Sequence, residues 1–377
     1  MKKRLLLLGG GHAHLHVLKS LGDAPIENVE ITLLSPWPHQ VYSGMLPGWV
    51  AGHYRIEQCV IPLAPLARRA GAIFCEGRAI ALDLSHNTVS CDNGNVLSFD
   101  ALSIDTGSAA DLSAIPGAGE HAVSVRPIET FIETVARIKA AVHYGSAGDM
   151  NGEGDKGGTV KRFVFVGAGA GGIELALGLQ HAFSKEPVEI SLVSAADTLP
   201  GTVGKRLLPI LAARGIKLIT GQAATRIEAR AVHLVSGEKL DADVIITATG
   251  AAAAAWPRAA GLACDARGFI RVNDHLQSTS HPQVFAAGDC ATMEHFSRPK
   301  SGVYAVRGGP PLAGNLRRFI TQQPLKAFRP QARSLYLLST GDRYAIASWG
   351  SLTWEGAWVW KWKDWIDRGF IGKYTAV

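Results

Sequence analysis

The sequence predicts a doubly wound α/β protein in which one parallel-sheet unit occurs twice, and three echoes along the chain predict it. Arg4-Leu-Leu-Leu-Leu-Gly9 returns as Arg162-Phe-Val-Phe-Val-Gly167, each an apolar run that stops at a glycine-rich turn. Val29-Glu-Ile-Thr-Leu-Leu-Ser35 returns as Val188-Glu-Ile-Ser-Leu-Val-Ser194. Segment 97–107, ending Asp105-Thr106-Gly107, returns as 240–250, ending Ala248-Thr249-Gly250. Runs that are apolar at every residue suit strands buried on both faces, as in parallel sheets covered by crossover helices. Matched segments in the same order mean a duplicated fold.

Taken in order, the opening MKKRLLLL imitates a signal peptide, but its apolar run ends after four leucines at Gly9-Gly10-Gly11, so it reads as a first strand. A helix and a second strand ending at Ser35 follow. Between the copies, residues 145–159 are poor in apolar side chains and rich in Gly and Asp, which predicts a mobile surface loop. In the second copy Gly167-Ala-Gly169-Ala-Gly171-Gly172 opens a helix beginning Ile173-Glu174. Further on, Val284-Phe-Ala-Ala-Gly288-Asp289-Cys290 is an apolar strand stopping at Gly-Asp. Leu335–Ser339 and Tyr344–Ser348 flank Thr-Gly-Asp-Arg, a hairpin pattern. After it, Trp354, Trp358, Trp362 and Trp365 fall on one stripe of a helix. That stripe suits either interfacial membrane docking or packing against the protein's own core or a homodimer partner, and packing is the expected use because aromatic stripes fill cores and interfaces.

With 377 residues the chain calls for two or three domains. Its formal charge of +6 fits anionic cofactors or an anionic membrane surface, and equally an ordinary solubility surplus. No basic cluster interleaved with aromatics is present, which argues against nucleic acid as a partner. The sequence holds five cysteines, Cys59, Cys75, Cys91, Cys264 and Cys290, with neither metal-ligand nor CxxC spacing, so they read as reduced structural thiols. No stretch reaches the ~18 apolar residues of a membrane span. The expected location is cytoplasmic, with peripheral contact at the inner face of a membrane as the variant.

The glycine turns carry the chemistry. In GxGxxG the first Gly makes a tight turn, the second lets backbone approach a diphosphate, and the third lets helix and strand pack closely. Gly167, Gly169 and Gly172 supply all three, with Gly171 beside them, and the helix start adds N–H groups and a positive dipole. The first copy keeps Gly9 and Gly11 but has His14 at the third place, after His12 and Ala13. Both copies end the second strand on Ser35 and Ser194, where an acid would hold a ribose 2′-hydroxyl, so NADH and NADPH stay unresolved. His12 and His16 share a helical face, yet no carboxylate or thiol stands at ligand spacing, and no metal is expected.

Together GGGHAH, DTG, GAGAGG, TATG and VFAAGDC, in this order, resemble the pyridine nucleotide-disulfide oxidoreductase superfamily over nearly the whole chain. The pattern is most similar to the branch of type II NADH dehydrogenases and sulfide:quinone oxidoreductases. Tyr42-Ser-Gly-Met-Leu-Pro-Gly48 and Pro299-Lys-Ser-Gly-Val-Tyr-Ala-Val-Arg307 resemble the NADH-dehydrogenase-like module that occurs fused to selenide, water dikinase. The resemblance implies a glutathione-reductase-like flavoprotein with two Rossmann-like dinucleotide-binding domains and a small α+β C-terminal domain. Its boundaries would be residues 1–115 and 265–323 for FAD, 116–264 for NAD(P)H, and 324–377 for the remainder.

The same resemblance implies that FAD meets Gly9, Gly11, His12, Ala13, His14, Ser35, Pro36, Arg78, Ala79, Thr106 and Gly107, then Gly288, Asp289, Ser301, Gly302, Val303 and Tyr304. NAD(P)H would meet Gly167, Gly169, Gly171, Gly172, Ile173, Ser194, Thr249 and Gly250. Glu174, Tyr42 and Lys300 would stand at the reacting site. Residues 42–47 occupy the place where disulfide reductases carry redox cysteines, and they contain none. Reducing equivalents would therefore pass from NAD(P)H through the flavin directly to a quinone-like acceptor. The rivals are oxidation of sulfide or selenide, and a nucleotide-responsive flavoprotein with little turnover.

Overall fold

The structure, a computed structural model, describes residues 2–143, 161–199 and 201–376, so the loop expected at 145–159 lies outside the described residues. Strand β1 (Lys3–Leu8) leads through the glycine turn into helix α1 (His12–Asp23) and strand β2 (Val29–Ser35). Strands β3 (Ala72–Glu76) and β4 (Ala101–Ile104) join the same sheet. A fifth strand, Val284–Ala286, arrives from far down the chain and gives the parallel order 284–286, β4, β1, β2, β3. Leu5 to Leu8 are at most 1% exposed, as the unbroken leucine run requires of a strand covered on both faces.

Helix α2 (Ile128–His143) precedes the second copy, built of strand β5 (Lys161–Val166), helix α3 (Ala170–Ala182) and strands β6 (Val188–Val193), β7 (Ile216–Ile219) and β8 (Val244–Thr247). Its sheet has the order 123–124, β8, β5, β6, β7. The repeat extends to register: Arg4 stands opposite Glu30 as Arg162 stands opposite Glu189. It extends also to hydrogen bonds, because the Arg4 amide donates to Asp100 at 2.7 Å and the Arg162 amide to Asp243 at 2.8 Å. Each acid leads into β4 or β8 and satisfies an amide that the sheet leaves open, which is why an acid recurs there.

Helix α4 (Gly302–Ile320) packs on α1, with Gly309 so close that an added Cβ would lie 2.7 Å from the His16 Cβ. The chain ends in an antiparallel sheet of β9 (Leu335–Ser339), β10 (Ala345–Trp349) and β11 (Leu352–Gly356), then helix α5 (Ala357–Thr375). The expected hairpin is present. Its turn places Gly341 at φ +92°, against the carbonyl of Leu177 in α3, so the hairpin docks on the second copy. Helix α5 returns to the first copy, where Phe370 stacks on Tyr42 at 4.3 Å.

The tryptophan stripe is divided, with Trp362 half-buried against the cluster of Ala345, Ala347 and Val359 and the others more open. Trp354 belongs to β11, and Trp358 and Trp365 are 55% and 72% exposed. The helix instead buries Val359, Lys363, Asp367 and Tyr374. Burying that Lys–Asp pair is tolerable because each partner is satisfied: Lys363 Nζ donates to Asp367 at 2.6 Å and to the Gly44 carbonyl at 2.6 Å. Among the described residues, no helix is long and apolar enough to cross a membrane.

Candidate active site

The first glycine turn is built around a buried carboxylate. Gly9 adopts φ +88°, and a Cβ there would lie 2.5 Å from the Asp105 carbonyl, so only glycine fits. A Cβ on Gly11 or on Gly288 would collide with the Asp105 carboxyl group from either side. Asp105 Oδ2 accepts the amides of Ala13 at 2.8 Å and His14 at 3.0 Å, two of the donors a helix start leaves unpaired. Burial pushes its pKa up to about 7 against those two hydrogen bonds, which favour the charged form. His14 is fully buried, with Nδ1 2.6 Å from the Gly9 carbonyl and Nε2 2.8 Å from Ser103 Oγ. The imidazole thus occupies the space that a third glycine would leave for close packing.

A cavity of about 560 Å³ opens in front of this turn, within the range that holds cofactors. Gly9, Gly11, His12, Ser35, Pro36, Arg78, Ala79, Thr106, Gly107, Asp289 and Gly302 line it, together with Arg126 and Glu129. Asp289 is held by Ser108 Oγ and by Arg126, each at 3.4 Å, and burial raises its pKa. His12 Nε2 is buried without a partner at the cavity wall, and burial lowers this imidazole to about 4, so it is neutral at pH 7. An orphaned polar atom, a glycine cradle and a helix start facing one cavity fit a flavin dinucleotide.

Ser301 caps α4 and, with Gly302, Val303 and Tyr304, forms its start; Ser301 Oγ is buried without a partner. Lys300 is directed elsewhere: its Nζ donates to the Ala291 carbonyl and to Thr292 Oγ1 at 2.9 Å and sits 4.0 Å over the Phe269 ring. Lys300 and Tyr304 line a small pocket with Gly288 and Asp289, and Asp289 also lines the larger cavity, so Lys300 stands on the far side of that carboxylate.

In the second copy Gly167 adopts φ +116°, and a Cβ there would lie 2.5 Å from the Ala248 carbonyl. Gly172 lies against the Gly167 carbonyl, leaving no room for a side chain, whereas Gly169, Gly171 and Gly250 face open space. Ile173 is fully buried behind the turn. Thr249 Oγ1 is buried without a partner at this turn, and the open glycines leave backbone free for a diphosphate, which fits NAD(P)H. Ser194 Oγ donates to the Ala196 carbonyl at 3.1 Å, just as Ser35 Oγ donates to that of Trp37 at 3.0 Å.

Glu174, the fifth residue of α3, accepts the Ser339 amide of β9 at 2.8 Å. It keeps part of its surface open, yet its carboxylate is densely surrounded, and burial raises its pKa to about 7 while Lys363 and the Ser339 amide oppose the rise. Tyr42 lies beside Asp367, its ring centroid 5.7 Å from that of His12 in an edge-on arrangement, and burial raises its pKa. Three parts of the chain therefore converge: Tyr42 and Gly44 from the first copy, Glu174 from the second, and Lys363 with Asp367 from α5. Sequence reasoning passed over Asp105, Arg126, Glu129, Lys363 and Asp367. Only the Lys-x-x-x-Asp spacing opposite the tryptophans hinted at a helical ion pair.

Cys290 donates its thiol to the carbonyls of Ile104 at 3.4 Å and Ala287 at 3.1 Å, and burial pushes its pKa up to about 12. Cys59 is likewise buried and raised to about 12. Neither is a ready nucleophile.

Residues 3–309 match the sequence profile of the family described as pyridine nucleotide-disulphide oxidoreductase. Ferroptosis suppressor protein 1 of Xenopus tropicalis is 26% identical over 284 residues, covering 71% of this chain and 69% of that protein. An NADH dehydrogenase-like protein of Mycobacterium tuberculosis is 28% identical over 293 residues, covering 73% and 70%. In fold, the sulfide:quinone oxidoreductase of Aquifex aeolicus superposes with a TM-score of 0.81 at 20% identity, covering 99% of this chain and 92% of that one. NDH2 of Plasmodium falciparum gives 0.82 at 14% identity, covering 99% and 98%. Since the family match takes in most of the chain and both glycine turns, this chain belongs to the pyridine nucleotide-disulphide oxidoreductase family, as an FAD- and NAD(P)H-dependent oxidoreductase.

Proposed function

We propose that the first copy holds FAD, that the second receives NAD(P)H, and that the acceptor is a quinone-like two-electron carrier reaching the flavin directly. The observation that carries this reading is the convergence of Tyr42, Glu174 and the Lys363–Asp367 pair where both copies and α5 meet, with no thiol among residues 42–47. When bound, FAD takes up a hydride from the nicotinamide and passes two electrons onward. The chain supplies position and protons. Gly172 brings α3 tight against its strand, and Asp289, held by Arg126 and Ser108, offers oxygen to the ribityl hydroxyls.

Glu174, with a pKa of about 7, carries its proton on a good share of molecules at neutral pH and can donate it to an acceptor oxygen. Lys363 stays beside it as a fixed positive charge, held by Gly44 and Asp367. The sulfide:quinone oxidoreductase that shares this fold names a quinone as its acceptor, and a quinone needs this combination of electrons and protons. Access from a membrane follows from the other face of α5. Trp358 and Trp365 are exposed on it, and Trp349 and Leu352 at the turn between β10 and β11 are each 52% exposed, apolar side chains suited to the lipid interface.

The test is steady-state oxidation of NADH and NADPH by the FAD-loaded protein with a soluble short-chain quinone. Turnover that depends on the quinone is expected. Replacing Glu174→Gln should lower quinone turnover about tenfold or more while leaving FAD content unchanged. Equal turnover in the variant, or none with any quinone in the wild type, contradicts the reading.

A further inference from the structure

Strand β2 ends on Ser35, and its hydroxyl is engaged in its own turn. Ser35 Oγ donates to the Trp37 carbonyl at 3.0 Å, and the Trp37 amide approaches it at 3.4 Å. A dinucleotide fold needs an acceptor near this strand end, because the adenosine ribose presents a 2′-hydroxyl that loses its water on binding. The residues that follow, Pro36-Trp37-Pro38-His39-Gln40, contain no acid.

The cavity beside Ser35 nevertheless contains a carboxylate, brought from another part of the chain. Glu129 is the second residue of α2 and lines the cavity with Pro36, Trp37 and His39. Arg78, which follows β3 next to Ser35, lines it too, and the Gly77 amide donates to the Ser35 carbonyl at 3.0 Å, so these residues sit at the end of β2. Burial raises the pKa of Glu129, opposed by a hydrogen bond from its own backbone amide and by His39 and Arg78, which both lie within electrostatic reach. Among the described residues no lysine, arginine or histidine approaches Glu129 closely enough to form an ion pair. A half-buried carboxylate that accepts its own amide keeps spare lone pairs toward a cofactor-sized cavity, where a ligand hydroxyl can take the place of water.

We infer that Glu129 accepts the 2′-hydroxyl of the FAD adenosine ribose, supplying from the start of α2 the carboxylate that the end of β2 lacks. The inference rests on the reading that this cavity holds FAD. It also ties cofactor retention to α2, the helix that leads toward the second copy, rather than to the strand end alone.

The test uses the full-length protein stripped of FAD and reloaded, with binding followed by quenching of flavin fluorescence. Two ligands are compared: FAD, and its analogue whose adenosine ribose lacks the 2′-hydroxyl. The wild type should bind FAD about tenfold or more tightly than the analogue, since a hydrogen bond to a charged acceptor is being removed. Glu129→Ala should lose that preference, weakening FAD about tenfold and the analogue little. Glu129→Gln preserves the shape and should fall between, and it serves in place of the alanine variant should that one fail to fold. Equal weakening of both ligands, or none, overturns the role of Glu129 while leaving FAD binding intact. Failure of the wild type to bind FAD at all overturns both readings together.

Discussion

The two glycine turns share a backbone and differ in what lies beneath it. In both, the first glycine is pressed against the carbonyl that opens an x-Thr-Gly turn, Asp105 in one copy and Ala248 in the other. Below the second glycine the copies part. Gly11 rests on the Asp105 carboxyl group, which accepts two amides at the start of α1, whereas Gly169 has nothing within 4 Å. At the third place His14 fills the first copy with an imidazole bonded to Gly9 and Ser103, while Gly172 in the second leaves only bare contact with Gly167. The first turn is a fixed polar cage and the second an open shelf. That contrast suits a cofactor that stays and a cofactor that comes and goes.

Alanine at the second glycine should break the comparison most sharply. Gly11→Ala drives a methyl group into Asp105 and should cost about 1–3 kcal/mol of stability in the FAD-free protein. Gly169→Ala meets open space and should cost less than about 1 kcal/mol, its effect appearing instead as weaker NAD(P)H binding. Denaturant unfolding of both variants decides the matter, and equal losses would mean that the cage and shelf do not differ as described.

A smaller effect concerns pH. Asp105 has its pKa raised from 3.8 to about 7 by burial, so the folded protein binds this proton more tightly than the unfolded chain. Stability from this group is therefore fully present below about pH 4 and is lost as pH rises to about 7, at no more than about 1.4 kcal/mol per pH unit. Asp105→Asn keeps an oxygen for both amides and removes the titration. The wild type should lose stability relative to this variant between those limits, measured by unfolding at stepped pH, and parallel curves would contradict the buried-acid description.

Much of this was legible in the sequence because strands buried on both faces leave unbroken apolar runs, and a duplicated fold doubles every signal. The echoing acids Asp100 and Asp243 and the paired strand ends Ser35 and Ser194 stood in plain sight for the same reason. What was not legible came from tertiary proximity. Glu129 reaches the end of β2 from a helix more than ninety residues away, and Asp105 looked like one letter of a turn motif. The tryptophan stripe was legible as a pattern, but which of its indoles pack within the chain was not, because that depends on how the helix sits on the C-terminal sheet. A satisfied Lys363–Asp367 pair is buried beside Val359, Trp362 packs against that same side, and Trp358 and Trp365 face outward. His14 was visible as a departure from the motif, but its two hydrogen bonds were not.

The central claim is that the two copies act as one redox unit, with nicotinamide in the second reducing flavin in the first. Its most direct test is anaerobic rapid mixing of the FAD-loaded protein with NADH and, separately, NADPH, following the visible flavin band. Bleaching by at least one nucleotide, slowed about tenfold or more by Gly172→Ala with FAD content unchanged, is the expected result. A band that persists with both nucleotides would contradict the claim.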